Sequence, residues 1–216
     1  MANSQTKQVE KTSPDFAFET EARRQGLGPI AGIDEAGRGP WAGPVVAAAV
    51  ILDPRNIPAG LDDSKRLSAE KREVCFAELA NMALWAVGIA TVEEIDRLNI
   101  LQASLLAMRR AVDRLPKRPG IALIDGNRSP LLDCRTRAIV KGDQKSLSIA
   151  AASIVAKVQR DRMMVRLAEQ HPEYGWDRNK GYGTNQHQRA LAAFGVTPHH
   201  RQSFKPIHKI LYQDTI

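Results

Sequence analysis

The sequence predicts a mixed α/β domain with a helical C-terminal part, and three observations carry that expectation. From Ile30 onward, short apolar runs rich in β-branched residues alternate with longer stretches of helical spacing. Helix-start signals stand between these runs. Beyond residue 184 the patterning is helical only.

The elements follow in order. Residues 1 to about 28 are rich in Ser, Thr, Gln, Lys and Glu and lack periodicity, which predicts a loose tail. Ile30–Ile33 reads as a first strand and Val45–Leu52 as a second. Ser68 is a good N-cap for a helix running to about Ala80. Leu84–Thr91 alternates as a strand. Thr91 with Glu94 and Asn99 with Gln102 are capping-box patterns that open a short helix and then a longer one to about Leu115. Ile121–Ile124 is a short buried-strand pattern ending at Asp125, and Arg137–Val140 is another ending near Asp143. Ser148 opens a long helix to about Glu169, with Ala151, Ile154, Val158 and Val165 on one core-facing stripe. Residues 171–183 read as a loop. Thr184–Phe194 and Pro206–Gln213 read as closing helices.

A chain of 216 residues suits one domain and is long enough to bury most of its apolar surface in one core. Lys+Arg 31 against Asp+Glu 24 gives a net charge of +7, which leans toward a polyanionic partner. Cys75 and Cys134 stand alone, so neither a zinc cluster nor a disulfide scaffold is expected, and reduced thiols in a cytoplasmic protein are the default. The longest apolar run, Trp41–Leu52, is too short to span a bilayer, and Met1–Glu21 lacks an apolar signal region.

The chemistry concentrates at Asp34-Glu35-Ala36-Gly37-Arg38-Gly39-Pro40. Two adjacent carboxylates end an apolar run and lead into a glycine loop carrying one arginine. Acids at strand ends can hold divalent metal, glycines let backbone approach a phosphate, and a guanidinium grips phosphate oxygens. Asp125 and Asp143 arrive at two further strand ends, where open α/β sheets place their sites. Each alone would read as a turn residue. Together with Asp34 and Glu35 they describe a carboxylate cluster, whose like charges call for Mg2+ or Mn2+. Paired acids also serve glycosidases, but 5% aromatic content offers few sugar platforms.

That first block, followed by Ala42-Gly43-Pro44-Val45, resembles the signature of ribonuclease HII, the type 2 ribonuclease H family. Further family-like blocks follow in order: Asp63-Ser64-Lys65 with Leu67-Ser68, Ile124-Asp125-Gly126, Val140-Lys141-Gly142-Asp143, residues 151–158 with Arg160-Asp161, Lys180-Gly181-Tyr182-Gly183-Thr184, and His200-Arg201 with Ser203-Phe204. The similarity covers about residues 28 to 208.

The resemblance implies an RNase H-like mixed β-sheet flanked by helices, with a small C-terminal helical part that clamps nucleic acid. It implies a catalytic domain over residues 28–216 after a flexible tail at 1–27. The implied enzyme cuts the RNA strand of RNA/DNA hybrids. It also nicks duplex DNA 5′ of a lone ribonucleotide, leaving a 3′-hydroxyl and a 5′-phosphate, as ribonucleotide excision repair requires. The implied metal ligands are Asp34, Glu35, Asp125 and Asp143, holding two ions, Mn2+ or Mg2+. Gly37, Arg38 and Gly39 would contact the backbone at the ribonucleotide, Tyr182 the 2′-hydroxyl at the junction, and Ser64 and Lys65 a phosphate. Lys141, Lys180, Arg201 and Lys205 would extend the basic track, while His187, His199 and His200 are expected in structural or surface roles. A cytoplasmic monomer acting on RNA/DNA hybrid and ribonucleotide-containing duplex DNA is expected, with no membrane partner. Trp41 and Asp62 depart from the common family pattern, and Gln213–Ile216 shows no clamp-binding motif, so no sliding-clamp partner is expected. The alternative from charge alone is a non-catalytic basic nucleic-acid-binding protein.

Overall fold

Residues 13–212 are described by a computed structural model. The expectations for residues 1–12 and for Gln213–Ile216 lie outside them. Among the described residues five strands form one sheet in the order β3-β2-β1-β4-β5. Strand β1 (Ile30–Ala36) is central. It pairs antiparallel with β2 (Val45–Leu52), which pairs antiparallel with β3 (Ala83–Ala90). On its other side β1 runs parallel to β4 (Ile121–Asp125), and β4 runs parallel to β5 (Arg135–Ile139). Ile33 faces Ile124 in register, so Asp34 and Asp125 are the next residues along two adjacent parallel strands. Strand β2 is buried throughout, as a continuous apolar run on a covered sheet should be.

Helices cover both faces. On one, α4 (Ile100–Asp113) packs Ala103, Ala107 and Ala111 against Ile33, Ala47, Ala49 and Ile124. On the other, α2 (Ala69–Met82) and α5 (Leu147–Gln170) pack against Ala48, Val50 and Leu52. Helix α5 lies so close to β1 that a Cβ on Gly32 would stand 2.0 Å from the Ser148 carbonyl carbon. The short helix α3 (Val92–Leu98) opens on the expected Thr91–Glu94 capping box. Asn99 caps α4 through its side chain, accepting from the Leu101 and Gln102 N–H groups. After α5 come a 3-10 turn at Pro172–Tyr174 and the helices α6 (Trp176–Asn179), α7 (Asn185–Phe194) and α8 (Lys205–Tyr212). They gather around Met164, Tyr174, Trp176 and Ile207. Among the described residues no helix is long and apolar enough to cross a membrane.

Four expectations need correction. The stretch before Ile30 is not all loose: Ala17–Arg24 forms α1, and Glu19 and Ala22 are buried. The N-cap of α5 is Ser146, which accepts from the Ile149 N–H, and Ser148 lies inside the first turn. Val165 is exposed, because on this turn of α5 it lines a surface groove with α2 and α6 instead of the core. Strand β5 begins two residues early, at Arg135; as an edge strand it tolerates exposed charge, so apolar patterning does not mark it. In addition, the expected loop at 171–183 contains the 3-10 turn and α6, too short to show a period.

Helix α1 is tied to the start of α5. Glu19 Oε1 accepts from Ser146 Oγ at 2.5 Å and from the Ser148 N–H at 2.9 Å, and Leu147 N–H donates to the Asp15 carbonyl at 2.9 Å. A carboxylate at a helix N-terminus satisfies free N–H groups and meets the favourable end of the dipole. Glu19→Ala is expected to cost about 2 kcal/mol, lowering the thermal midpoint by roughly 4–8 °C in a calorimetric melt. An unchanged midpoint would remove α1 from the stable core.

Candidate active site

The end of β1 delivers Asp34, the end of β4 delivers Asp125, and the 3-10 turn Gly142–Gln144 delivers Asp143. One carboxylate oxygen from each lies within 4.8 Å of the others. Asp125 also fixes the third acid, because its Oδ1 accepts from the Gly142 N–H at 2.7 Å. Lys141, in the left-handed region at φ 55°, turns the chain into that bond. Asp34 and Asp143 are buried. Glu35 is not part of the three-acid group but lines the same cavity. Its Oε1 accepts from Arg38 at 3.1 Å, while Oε2 is buried with no hydrogen-bond partner.

Burial, then Glu35 and Asp125, raises Asp34 well above the ordinary carboxylate range. Burial, then Asp125 and Asp63, raises Asp143 to about 6. Burial raises Glu35 too, against the pull of Arg38. Converging oxygen ligands, mutual repulsion and an orphaned buried oxygen fit a hard divalent cation, Mg2+ or Mn2+.

A cavity of about 240 Å³ opens over these acids, lined among others by Asp34, Glu35, Arg38, Ser64, Lys65 and Tyr182. Gly37 and Gly39 line it as well; Asp125 and Asp143 stand beside it, next to Asp34. Lys65 Nζ is 3.8 Å from Asp143, and the surrounding acids, Asp34 foremost, outweigh burial to raise its pKa. Ser64 is buried and its N–H donates to Ser153 Oγ. Asp63 holds this loop to the Asp143 turn, accepting from the Lys65 N–H at 2.9 Å and from Gln144 Nε2 at 3.2 Å. The Tyr182 ring is half exposed, and a Cβ on Gly39 would lie 3.4 Å from its Cε1. The fold thus brings together two glycine-rich loops from opposite ends of the chain.

Two buried arginines build the floor. Arg201 is fully buried, which corrects its expected place on a surface track. It donates to the carbonyls of Gly37, Arg38, Gly43 and Pro44 at 2.6–3.3 Å. Arg160 donates to the carbonyls of Ala42, Pro44 and Lys180 at 3.0–3.2 Å. Gly37 sits at φ +97°, and a Cβ there would stand 1.9 Å from Arg160 Nε, so only glycine fits. Burial lowers Arg160 to about 10, and burial with Arg160's charge lowers Arg201 to about 9, so both stay cationic at neutral pH. Sequence reasoning placed Arg160 in a family-like block but gave it no role. Its signal was available: Ala152, Ala156, Arg160, Met164 and Ala168 form one buried i, i+4 series interrupted by a single charge.

Behind Tyr182 the histidines are structural, as expected. His187 Nδ1 must donate to the Tyr182 carbonyl at 3.0 Å. The Thr197 N–H donates to His200 Nδ1, so His200 carries its proton on Nε2 and donates it to His187 Nε2 at 3.0 Å. Trp176 Nε1 donates to the same atom. Every donor meets an acceptor only while both imidazoles are neutral.

Comparison with known proteins gives a consistent picture. Residues 31–209 match the family model described as Ribonuclease HII. The chain is 60% identical over 207 residues to a Ribonuclease HII of Cereibacter sphaeroides, covering 95% of this chain and 98% of that one. It is 59% identical over 204 residues to a Ribonuclease HII of Ruegeria pomeroyi, covering 94% and 87%. The crystal structure of the ribonuclease H2 from Pyrococcus horikoshii OT3 superposes with a TM-score of 0.70 at 29% identity, covering 84% of this chain and 96% of that one.

The neutral histidine pair sets a pH dependence. Burial, then His187, lowers His200 to about 4 from an unfolded value of 6.5. Between those values the unfolded chain takes up a proton that the folded chain refuses, so stability is full above about pH 6.5 and falls as the pH drops toward 4. Ring-proton NMR should place the His200 midpoint near 4. A midpoint at the unfolded value would overturn the neutral pair.

Proposed function

The chain belongs to the ribonuclease HII family and is an endonuclease acting on RNA/DNA hybrids; on that premise we propose that Asp34, Glu35, Asp125 and Asp143 hold two divalent ions at which the RNA strand is cut. The observation that carries this reading is the convergence of three carboxylates within 4.8 Å beside the buried, unpartnered oxygen of Glu35. Bound Mg2+ or Mn2+ would supply an activated water and stabilise the leaving oxygen of the phosphodiester. The family membership also favours an enzyme over the non-catalytic binding protein that charge alone would allow.

The chain's own groups do the positioning. Gly37 and Gly39 expose backbone N–H groups to the strand, because Arg160 and Arg201 have engaged the carbonyls on the loop's inner side. Arg38 and Lys65 bring cations to the cavity wall, where they can meet phosphate oxygens. Ser64 and Lys65 grip a phosphate and fix the duplex without reading sequence. Tyr182, opposite Gly39, presents its phenol to the 2′-hydroxyl, the group that separates RNA from DNA. This arrangement supports cleavage 5′ of a single ribonucleotide in duplex DNA, giving a 3′-hydroxyl and a 5′-phosphate, as in ribonucleotide excision.

Asp125→Asn tests the metal assignment, since Asn keeps the oxygen that accepts from Gly142 and should preserve the turn. Turnover on a hybrid should fall at least ~100-fold, hybrid binding in chelator should persist, and the thermal shift caused by Mn2+ should shrink. Turnover and shift at wild-type levels would sink the role.

Tyr182→Ala should impair nicking at a lone ribonucleotide by about tenfold more than cleavage of a long hybrid, where many junction-free registers remain. Equal losses on both substrates in parallel assays would argue against the junction contact.

A further inference from the structure

A second concavity, about 650 Å³ in volume, lies between α2, α5 and α6. It shares Lys157 with the cavity over the acids, so the two meet at one wall. Six cations line it, Arg72, Lys157, Arg162, Arg166, Arg178 and Lys180, against two acids, Glu73 and Asp161. Both acids are already engaged: Glu73 with Arg162 and Asp161 with Lys157, each at 2.6 Å. The other four cations have no acid at hydrogen-bond distance among the described residues. Arg72 donates only to the Ser64 and Leu67 carbonyls, and Lys180 to the Asp177 carbonyl. Arg178 is exposed and holds Asp177 only at 3.9 Å. Arg166 is exposed and has no acidic partner among the described residues.

We propose that this groove carries the sugar–phosphate backbone of the substrate duplex beyond the cleaved step, with Arg166 and Arg178 as its main phosphate contacts. The inference rests on the hybrid-endonuclease reading and extends it to a surface that the acids, the glycine loop and Tyr182 do not include. Lys180 joins the two regions, since its carbonyl accepts from Arg160 beneath the glycine loop and it precedes Tyr182 by two residues. Along α5 the cations from Lys157 to Arg166 span roughly 13 Å, given 1.5 Å per residue. A polyanion drawn to a pocket of carboxylates needs such a rail, because the acids alone repel it. An anionic protein segment would find the same charge, and the test separates the two.

The experiment measures binding of an RNA/DNA hybrid in chelator by fluorescence anisotropy across a salt series. It compares the wild type, the double variant Arg166→Gln with Arg178→Gln, and Glu73→Gln. The double variant should bind about tenfold more weakly, with a log–log salt slope reduced by nearly two, since each phosphate that an arginine neutralises adds about 0.9 to the slope. Glu73→Gln, which releases Arg162 on an exposed surface, should bind several-fold more tightly. If the double variant fails to fold, the sign of the Glu73→Gln change decides. Wild-type affinity and slope in the variants would overturn the proposal, and so would weakened binding of an acidic peptide with hybrid binding intact. Failure of the wild type to cut the hybrid with Mg2+ or Mn2+ would instead defeat the underlying reading, which the salt series does not depend on.

Discussion

The parallel pairing of β1 with β4 is the constraint from which the site grows. Once Ile33 lies opposite Ile124, the next residues along, Asp34 and Asp125, stand side by side at the carboxyl ends of two strands. Nothing in the backbone can separate them without slipping a register that buries Ile33, Ala122 and Ile124. The hydrophobic core therefore holds two carboxylates together against their repulsion. Asp125 then recruits the third acid by accepting from Gly142, and α5, docked tightly over Gly32, caps the assembly from behind. Burial first, and the neighbouring carboxylates second, push Asp34 and Asp143 above the ordinary carboxylate range. A stable fold is used to keep an unfavourable charge cluster in place, where a divalent cation relieves it.

The counterpart is a pair of buried positive charges that hydrogen-bond to no acid. Arg160 and Arg201 direct their donors to backbone carbonyls between Gly37 and Pro44 and to Lys180. A buried guanidinium satisfied only by carbonyls keeps its full charge, and here two of them lie under the glycine loop that lines the cavity. Their removal would leave several carbonyls without donors as well as a void, so the loop's shape and the local potential depend on the same two side chains. The strict need for glycine at position 37 follows from this arrangement, because the arginine occupies the space that a side chain would fill.

Much of this was legible in the sequence, and what was not has physical causes. The strands β1, β2 and β4, the capping box at Thr91 and the cap at Ser68 are local signals, written in contiguous residues. Residues 34, 35, 37–39, 64, 65 and 182 were singled out from motifs, and the structure places all of them around one cavity. Helix α1 was not legible because its stabilising bonds run from Glu19 to Ser146 and Ser148, more than a hundred residues away. The buried state of Arg201 was hidden for the same reason, since arginine is a surface residue by default and its carbonyl partners are set by tertiary structure. Val165 shows the opposite error: a helical stripe can continue in sequence where the face it occupies has turned to a surface groove.

The arrangement of charge explains why one small domain can act on a polyanion at all. The three clustered acids would by themselves exclude nucleic acid from the catalytic cavity. Opposing them are Arg38 and Lys65 at the rim, the two arginines in the floor, and the cations of α5 and α6 to one side. The negative pole is the deep one, with Asp34 and Asp143 buried, whereas Arg38, Lys65, Arg162, Arg166 and Arg178 are exposed. On the proposed reading, a phosphodiester backbone is held by many contacts outside the pole while a single scissile group is presented to it. Metal ions reverse the sign of the deep pole only when they are bound. On the same reading, substrate presentation and catalytic competence are separable: the first would rest on the chain's own cations, and the second on cations that the acids recruit.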